Sequence, residues 1–262
     1  MNRVTREIAT WGTEIYIEAS SSRLDSAEIN RVIAGVEAFL FDVDDELSTY
    51  KENSSVTKLR KNQLKIDDAP EMVQEVWRGC LAARELSFGA FDPWAVDGGF
   101  DPSGYVKGWA AQKAANMLVA AGCESVQVNA AGDIALRGGT DSGPWKIGVV
   151  NPDNKSEIVQ IFEITDGNIA TSGHYEKGAH IKDPHTGVIA IGAKSGTVIG
   201  PDGGICDALA TALMVDGTDA AKWIGNPELS EYTFWAINRQ TSFTDDQELS
   251  AWSHGPNLGL AN

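Results

Sequence analysis

The sequence predicts an α+β protein in which mixed strands pack against several long helices. Apolar residues recur at helical spacing over long stretches of the first half and again over residues 206–217, whereas most of the second half alternates apolar and polar residues, as strands do. The 262 residues are enough for a sizeable core, and no repeat or long linker divides them. We therefore expect a single domain over residues 1–262, with a loose tail from about residue 245.

The first half is expected to open with a strand and to continue in helices. Residues 11–18 alternate like a strand, and a capping box at residues 25–28 opens a long amphipathic helix. Pro70 suits the start of a second helix. Two Asp-Pro steps and several glycines make residues 89–108 a loop whose backbone can approach a ligand, and an alanine-rich helix from Trp109 to Ala121 follows.

The second half is expected to contain short strands, two polar loops and one central helix over residues 206–217. The polar loops, residues 169–175 and 180–187, hold three of the four histidines. The predicted strands lie near residues 126–128, 134–136, 147–149, 159–164, 197–200 and 234–237.

The charge balance narrows the possible partners. Lys and Arg number 21 against 37 Asp and Glu, which gives a formal net charge of −16. Such a surface disfavours duplex nucleic acid or an anionic membrane as the main partner. A polyphosphate ligand would need local positive charge from a few basic residues, helix N-termini or a metal ion.

Cysteine usage and hydropathy indicate a protein without disulfides. Cys80, Cys123 and Cys206 follow no metal-binding spacing, and Cys80 and Cys206 occupy apolar helix positions, so we expect buried free thiols. We find no signal peptide and no apolar run long enough to span a membrane. The chain as given is expected to be cytoplasmic, although the trimmed form of an exported or membrane-anchored protein would look the same.

The helix predicted over residues 206–217 carries the first candidate site. Asp207 and Thr211 are four residues apart, so both oxygens lie on one helix face, and Asp207 falls in the predicted first turn. A carboxylate, a hydroxyl and nearby backbone carbonyls are the oxygen donors that Mg²⁺ takes. The alternative is structural, with Asp207 capping the helix and Thr211 bonding to the carbonyl one turn earlier.

The glycine-rich loop carries the second candidate site. Lys107 lies near the start of the alanine-rich helix, where phosphate binds readily, but a solvated lysine in a turn explains it equally well. The acidic run over residues 42–46 is expected to be a solvated helix face rather than a metal site.

Eight short motifs together resemble the ApbE family, the FAD:protein FMN transferases, and they follow the family order from about residue 9 to residue 217. The motifs are Trp11-Gly12-Thr13, Ser48-Thr49-Tyr50, Ala90-Phe91-Asp92-Pro93, Asp101 to Gly108, Asn129 to Asp133, Thr171 to Tyr175, His180 to Gly187 and Asp207 to Ala212. Their order, rather than any single motif, carries the resemblance.

The chain departs from the family pattern at several motif positions. Trp11 replaces a methionine, Pro102-Ser103 a Leu-Gly pair, Ala131 a glycine, His174 an acidic or amide residue, and His185 an arginine. The segment between Asp92 and Asp101 is also shorter than in most relatives. We therefore expect a reshaped flavin pocket and an acceptor specificity that the family pattern does not fix.

The resemblance implies an ApbE-like, T-fold-related flavin transferase that binds FAD with Mg²⁺. It would pass FMN to a Ser or Thr hydroxyl in a flavinylation motif of a target flavoprotein and release AMP. It implies that Asp207 and Thr211 hold Mg²⁺ through side chains, that Gly104 and Ala210 offer backbone carbonyls, and that Lys107 acts at the FAD phosphates. The FAD contacts that it implies are Trp11, Tyr50, Ala90, Phe91, Asp92, Asp101, Lys107 and Ile181, with an aromatic face on the isoalloxazine.

His180 is the candidate general base for the acceptor hydroxyl, because the ordinary pKa of histidine, about 6.5, suits that task; a plain surface histidine is the alternative. Two rival activities stay open. One is an FAD pyrophosphatase, in which water replaces the protein hydroxyl, and the other is a non-catalytic FAD-binding carrier. The presence of Asp207, Thr211 and Lys107 together favours catalysis, since a carrier has no use for a phosphate-activating metal.

Overall fold

The computed structural model describes residues 1–173, 181–239 and 249–256. The strands in these ranges are β1 (Asn2–Thr10), β2 (Thr13–Ser21), β3 (Ser125–Ala130), β4 (Asp133–Arg137), β5 (Trp145–Asn151), β6 (Asn154–Ile164), β7 (Gly167–Gly173), β8 (Ala193–Gly200), β9 (Thr233–Asn238) and β10 (Ala251–His254). The α-helices are α1 (Ser26–Leu47), α2 (Ser55–Arg60), α3 (Glu71–Leu86), α4 (Ser103–Ala120), α5 (Gly203–Asp216) and α6 (Ala221–Ile224).

One antiparallel sheet organises the fold. Its strands hydrogen-bond in the order β1-β2-β3-β4-β7-β8-β9-β10, while β5 and β6 form a separate hairpin. Because side chains alternate across a strand, each inner strand contributes to two faces. In β9, Phe234 and Ala236 join the core on the helical side, whereas Trp235 and Ile237 join a second core on the opposite side.

The two faces of the sheet are covered differently. On one face lie α1, α3, α4 and α5, which bury apolar residues such as Ile33, Val76 and Leu209 against the sheet. On the other face the β5–β6 hairpin packs Trp145 and Phe162 against the sheet. The helices α4 and α5, which carry Lys107 and Asp207, therefore lie on the same face and can meet.

Two hairpin turns use left-handed backbone at residues other than glycine. Trp11 (φ 56°) and Gly12 (φ 69°) connect β1 to β2, and Ala131 (φ 54°) and Gly132 (φ 96°) connect β3 to β4. Positive φ at both central residues is typical of the type I′ turn, which favours glycine. The family pattern has glycine at position 131 because this backbone conformation favours glycine. Alanine in the same conformation costs about 1 kcal/mol in backbone strain.

Many of the predicted elements are confirmed. The Asp25 side chain accepts from the backbone N–H of Glu28, and the Glu28 side chain accepts from that of Asp25, both at 2.8 Å, so the capping box opens α1. Helix α3 follows Pro70 directly. The strands predicted from residue 126 onward correspond to β3, β4, β5, β6, β8 and β9, and the three cysteines are buried free thiols.

The expected start of the alanine-rich helix at Trp109 is wrong, because α4 begins at Ser103. The Asp101 side chain accepts from the backbone N–H of Ser103 at 3.0 Å and so supports the earlier start. Gly104 has non-helical backbone angles inside the first turn. The glycine that made this stretch look like a loop therefore marks a kink at the beginning of a longer helix.

Three further expectations differ from the structure: one predicted strand begins two residues later than expected, and two segments expected to be irregular contain strands. Residues 11 and 12 form a turn, so the first predicted strand is β2 at Thr13–Ser21. Residues 169–173 belong to β7 rather than to a polar loop; its Thr171 hydroxyl lies 2.9 Å from that of Thr197 on β8. Residues 251–254 of the expected tail form β10, paired with β9. Of the expected tail, residues 249–256 are described, and residues 245–248 and 257–262 lie outside the described ranges.

Sequence reasoning also missed β1 and the short helix α2. Among the described strands, β1 pairs with β2 alone, at the edge of the sheet, and it exposes most of its side chains, so its apolar signal is weak. No helix in the described ranges has both the length and the apolar character required to cross a bilayer.

Candidate active site

Three elements meet at the ammonium group of Lys107. Lys107 lies in the second turn of α4, Asp133 at the first position of β4, and Asp207 in the second turn of α5. Lys107 Nζ pairs with Asp133 and lies 3.3 Å from each carboxylate oxygen of Asp207. The backbone N–H of Gly108 also donates to Asp207 Oδ2 at 3.3 Å. One lysine therefore connects two acidic side chains from separate elements.

A close crossing of two helices brings these side chains together. Gly108 of α4 and Gly203 of α5 are so close that a Cβ atom on either would overlap the carbonyl group of the other. A Cβ on Gly108 would also lie 3.1 Å from Asp207 Cβ. The glycine pair thus sets the separation of α4 and α5, and with it the distance from Lys107 to Asp207.

The environment keeps Lys107 charged. Asp133 and Asp207 are each 2% exposed, whereas the Lys107 side chain retains 27% exposure. Burial disfavours the ammonium form, but the Coulombic attraction of Asp133 and Asp207, with their hydrogen bonds, outweighs burial and raises the pKa of Lys107 above its ordinary value. Lys107 therefore keeps its positive charge, but with Asp133 and Asp207 the three side chains sum to −1. An anionic ligand such as a phosphate would bind beside Lys107 only together with a further cation.

The structure assigns helix capping to a different aspartate. Helix α5 begins at Gly203, and its N-cap is Asp202, whose side chain accepts from the backbone N–H of Ile205 at 2.9 Å. The expectation that Asp207 lies in the first turn is therefore wrong, because the helix starts three residues before Cys206. The capping alternative for Asp207 is removed with it, and its buried carboxylate is compensated instead by Lys107 and by the N–H of Gly108.

Thr211 lies one turn beyond Asp207 and faces two other elements. Its hydroxyl is 3.3 Å from the hydroxyl of Ser172 on β7. A Cβ atom added to Gly104 would lie 3.2 Å from both Thr211 Oγ1 and Phe91 Cε2, so the Gly104 backbone packs against the two side chains. Ala210 is buried in α5, and its carbonyl faces Gly196 of β8.

The oxygen donors near Asp207 fit a hard divalent cation such as Mg²⁺. Asp207 offers a carboxylate, Thr211 a hydroxyl on the same helix face, and Gly104 a neighbouring backbone. Within the described ranges no cluster of three or more His, Cys, Asp or Glu side chains could hold a metal. A cation here would therefore be coordinated by few carboxylates, together with hydroxyl, carbonyl, water or phosphate oxygens. Mg²⁺ is commonly coordinated in this way at phosphate sites.

The residues implied for flavin contact near the helix crossing divide into a buried and a half-buried group. Ala90, Phe91 and Ile181 are buried. Asp92 pairs with Arg84 at 2.7 Å. Asp101 lies 3.5 Å from Arg60 and accepts from the N–H of Ser103. Lys182, next to Ile181, pairs with Asp97 at 2.9 Å and so ties the loop after residue 180 to the loop between Asp92 and Asp101.

Two implied contacts lie apart from this group. Tyr50 follows α1 and its side chain is 97% exposed. Trp11, in the β1–β2 turn, donates from its indole N–H to the carbonyl of Leu40 at 3.2 Å. The candidate base His180, like His174, lies outside the described residues, so its role stays a prediction.

Comparison with known proteins assigns the chain to a family. The model of the ApbE family matches residues 95–233, just over half of the chain. The chain belongs to the ApbE family. The matched region includes Lys107, Asp133, Asp207 and Thr211, so this ApbE site lies within the part of the sequence that defines the family.

Curated ApbE relatives share the sequence over limited regions. An FAD:protein FMN transferase of Vibrio cholerae serotype O1 is 35% identical over 130 residues, which is 45% of this chain and 39% of that protein. An FAD:protein FMN transferase of Rhodobacter capsulatus is 29% identical over 192 residues, 70% of this chain and 34% of that protein. The chain thus aligns with little more than a third of the length of these relatives.

Solved structures show the ApbE fold over nearly the whole chain. The flavin transferase ApbE from Vibrio cholerae superposes with a TM-score of 0.80 at 23% identity, covering 96% of this chain and 97% of that one. The ApbE protein from Thermotoga maritima gives a TM-score of 0.78 at 23% identity, covering 90% and 94%. The expected α+β, ApbE-like fold class is confirmed.

Sequence reasoning on the ApbE motifs missed three residues of this site. Asp133 ends the Asn129–Asp133 motif, and its motif position was the available signal. Ser172 lies in the Thr171–Tyr175 motif beside Thr211. Arg60, whose Nε donates to the carbonyl of Phe100 at 2.8 Å, belongs to no quoted motif, and nothing local in the sequence singles it out.

Proposed function

We propose that this protein is a Mg²⁺-dependent FAD:protein FMN transferase. It binds FAD, transfers FMN to a Ser or Thr hydroxyl of a target flavoprotein through a phosphoester bond, and releases AMP. The observation that carries the proposal is the meeting of Lys107, Asp207 and Thr211 on two crossing helices. Membership of the ApbE family and the names of the curated relatives support the same activity.

The reaction exchanges one phosphorus–oxygen bond for another. The acceptor oxygen forms a bond to the phosphorus of the FMN half, the bond from that phosphorus to the oxygen bridging to AMP breaks, and AMP leaves with the bridging oxygen. The acceptor hydroxyl loses its proton. Such a transfer depends on positioning and on neutralising the phosphate charge, rather than on covalent help from the protein.

The side chains at the helix crossing supply that neutralisation. Lys107 places a permanent positive charge where the pyrophosphate of FAD would lie, because its raised pKa keeps the ammonium protonated. Asp207 and Thr211 would hold Mg²⁺ through their side chains, with Gly104 and Ala210 proposed as backbone donors. Bound there, the metal would withdraw charge from the phosphate oxygens.

The flavin half of FAD is assigned to the neighbouring loop residues. Phe91 packs on Gly104 and so lies beside the metal donors. Ala90, Asp92, Asp101 and Ile181 come from the two loops that the Lys182–Asp97 pair ties together. Tyr50 and Trp11 are proposed to complete the contacts. The ring of Tyr50 is exposed, and stacking of the flavin on it would bury its apolar surface.

The acceptor hydroxyl needs a base, and His180 is proposed for that role. It directly precedes Ile181, which is buried, and Lys182, which pairs with Asp97. Replacing His180 by alanine should slow peptide flavinylation about 10²- to 10⁴-fold while FAD still binds, which is the usual range for a general base.

The test supplies FAD, Mg²⁺ and a peptide with a D-G-x-S/T-G-A-T-like sequence to the purified protein. Transfer predicts a peptide mass increased by FMN, together with an equal amount of AMP. Release of AMP with only free FMN, across a range of acceptor peptides, would establish the pyrophosphatase activity instead. Binding of FAD without any AMP would leave only a carrier.

A further inference from the structure

Asp133 is a buried residue of the candidate site that lies on a strand, and not on either of the crossing helices α4 and α5. It is the first residue of β4 and pairs with Ala130 across the tight β3–β4 turn. The side chain of Asn129 accepts from the N–H of Gly132 at 2.8 Å and so helps to fix that turn. The carboxylate is only 2% exposed. A buried carboxylate on a rigid turn is costly unless a charged partner compensates it, and Lys107 is such a partner.

Two carboxylates therefore share the Lys107 ammonium. Lys107 Nζ lies closer to Asp133 than to Asp207, whose two oxygens are both 3.3 Å away. The three side chains together carry a net charge of −1. This net negative charge attracts a cation to Asp207, whereas Lys107 with Asp207 alone would be neutral and would offer a cation little attraction.

A cation at Asp207 also changes the position of the lysine. A divalent cation and the ammonium compete for the same two oxygens of Asp207. If the ammonium gives them up, it stays largely enclosed, since the Lys107 side chain is only 27% exposed, and a largely enclosed ammonium without a partner is unfavourable. Asp133 provides the remaining partner, so the lysine can leave Asp207 without losing its compensation.

We propose that Asp133 is a positioning residue that holds the Lys107 ammonium and thereby makes Asp207 available to a divalent cation. This inference rests on the proposed function for the assignment of Asp207 as a metal ligand. The lysine then stays beside the metal as a second positive charge, directed at the phosphate, instead of competing for the carboxylate.

The test measures binding of Mn²⁺ alone to the full chain by electron paramagnetic resonance, without FAD. Asp133→Asn, which keeps the shape and removes the charge, should weaken Mn²⁺ binding about tenfold, because Lys107 then pairs with Asp207 only. Lys107→Met alone should bind Mn²⁺ about tenfold more tightly than the wild type. The double variant should return to within about twofold of the wild type.

A matched control separates this role from general charge and from folding. Glu75→Gln removes a carboxylate of α3 that pairs with Lys113 of α4 and accepts from the Trp109 indole N–H, and it should leave Mn²⁺ affinity unchanged. A purely structural role of Asp133 predicts a double variant as weak as Asp133→Asn, with a lowered melting temperature in both, and that result would overturn the inference.

Three other results would also contradict it. They are wild-type affinity in Asp133→Asn, weakened binding in Lys107→Met, and a wild-type protein that binds no Mn²⁺ with or without FAD. If Asp133→Asn does not fold, the Lys107→Met result alone decides. Failure of the proposed function is distinguishable, because it would appear as absent AMP and absent FMN-peptide while the Mn²⁺ series behaves as expected.

Discussion

Asp207 is buried, pairs with Lys107 and lies one turn before Thr211. The proposed chemistry therefore depends on its carboxylate more than on any other group. Asp207→Asn keeps the side-chain shape and removes the charge. We expect AMP release from FAD and Mg²⁺ to fall at least 10²-fold, about 3 kcal/mol in the barrier, with the thermal unfolding transition still cooperative. Chromatographic quantification of AMP measures the rate.

Asp202 supplies a matched control for that variant on the same helix. Asn caps a helix about as well as Asp, so Asp202→Asn should keep both activity and stability. An Asp207→Asn protein that turns over FAD at the wild-type rate without added metal would show that the metal assignment is wrong.

Tyr50 is a residue whose contribution should appear in binding alone. Its side chain is 97% exposed, so Tyr50→Ala should change the free energy of unfolding by less than about 0.5 kcal/mol. Stacking on the flavin predicts weaker FAD binding by about 1 kcal/mol, measured by quenching of flavin fluorescence. Tyr50→Phe retains the ring and should retain the affinity; equal losses in both variants would point to the hydroxyl instead.

At the scale of elements, the contact of α4 with α5 is set by Gly108 and Gly203. Gly108→Ala places a Cβ against the Gly203 carbonyl, and overpacking of this kind costs about 1–3 kcal/mol. Because the helices must separate, Lys107 and Asp207 should also move apart, and AMP release should fall. Urea unfolding followed by circular dichroism gives the stability change.

Gly35 of α1 offers the matched control for the helix substitution. It is exposed, and an added Cβ there meets nothing within 4 Å. Gly35→Ala should therefore stabilise the protein by up to about 1 kcal/mol, since alanine is the better helix former. If Gly108→Ala were stabilising to the same extent, the helices would not be in backbone contact at this point.

The elements also show how far the sequence alone can lead. Helix α1 was predictable because its capping box and apolar stripe are local signals. The start of α4 was not, because the glycine at position 104 resembles a loop until the kink and the bond from the Ser103 N–H to Asp101 are known. The motifs placed Lys107 and Asp207 in one site, but their 3.3 Å contact joins residues 100 positions apart, and no local pattern encodes that distance.

For the molecule as a whole, several buried groups predict lability in alkali. Burial raises the pKa values of Cys80, Cys206, Tyr105 and Tyr232, and the two neighbouring carboxylates outweigh burial to raise that of Lys107. Each group keeps its proton in the folded state at a pH where the unfolded chain releases it. The native state then binds more protons, so the free energy of unfolding falls as pH rises.

The fall should begin near pH 8.5, where unfolded thiols ionise, and steepen above about pH 10, where tyrosine and lysine follow. Urea midpoints measured from pH 7 to pH 10.5 test this course. Burial also raises the pKa of Cys123, so a variant with Cys80, Cys123 and Cys206 all replaced by alanine should lose the first part of the decline only. A midpoint independent of pH over the whole range would contradict the burial of these groups.

Strand β1 has a protective consequence for the whole sheet. It pairs with β2 along its full length and covers that strand's outer hydrogen-bonding groups, while Ile15 and Ile17 of β2 stay in the core. Detached from β1, β2 would present an open, regular edge beside apolar side chains, which is a template for joining a second chain. Arg3, Arg6 and Glu7 give the present edge charges that discourage such joining. A strand with a weak sequence signal thus protects this edge of the sheet against aggregation.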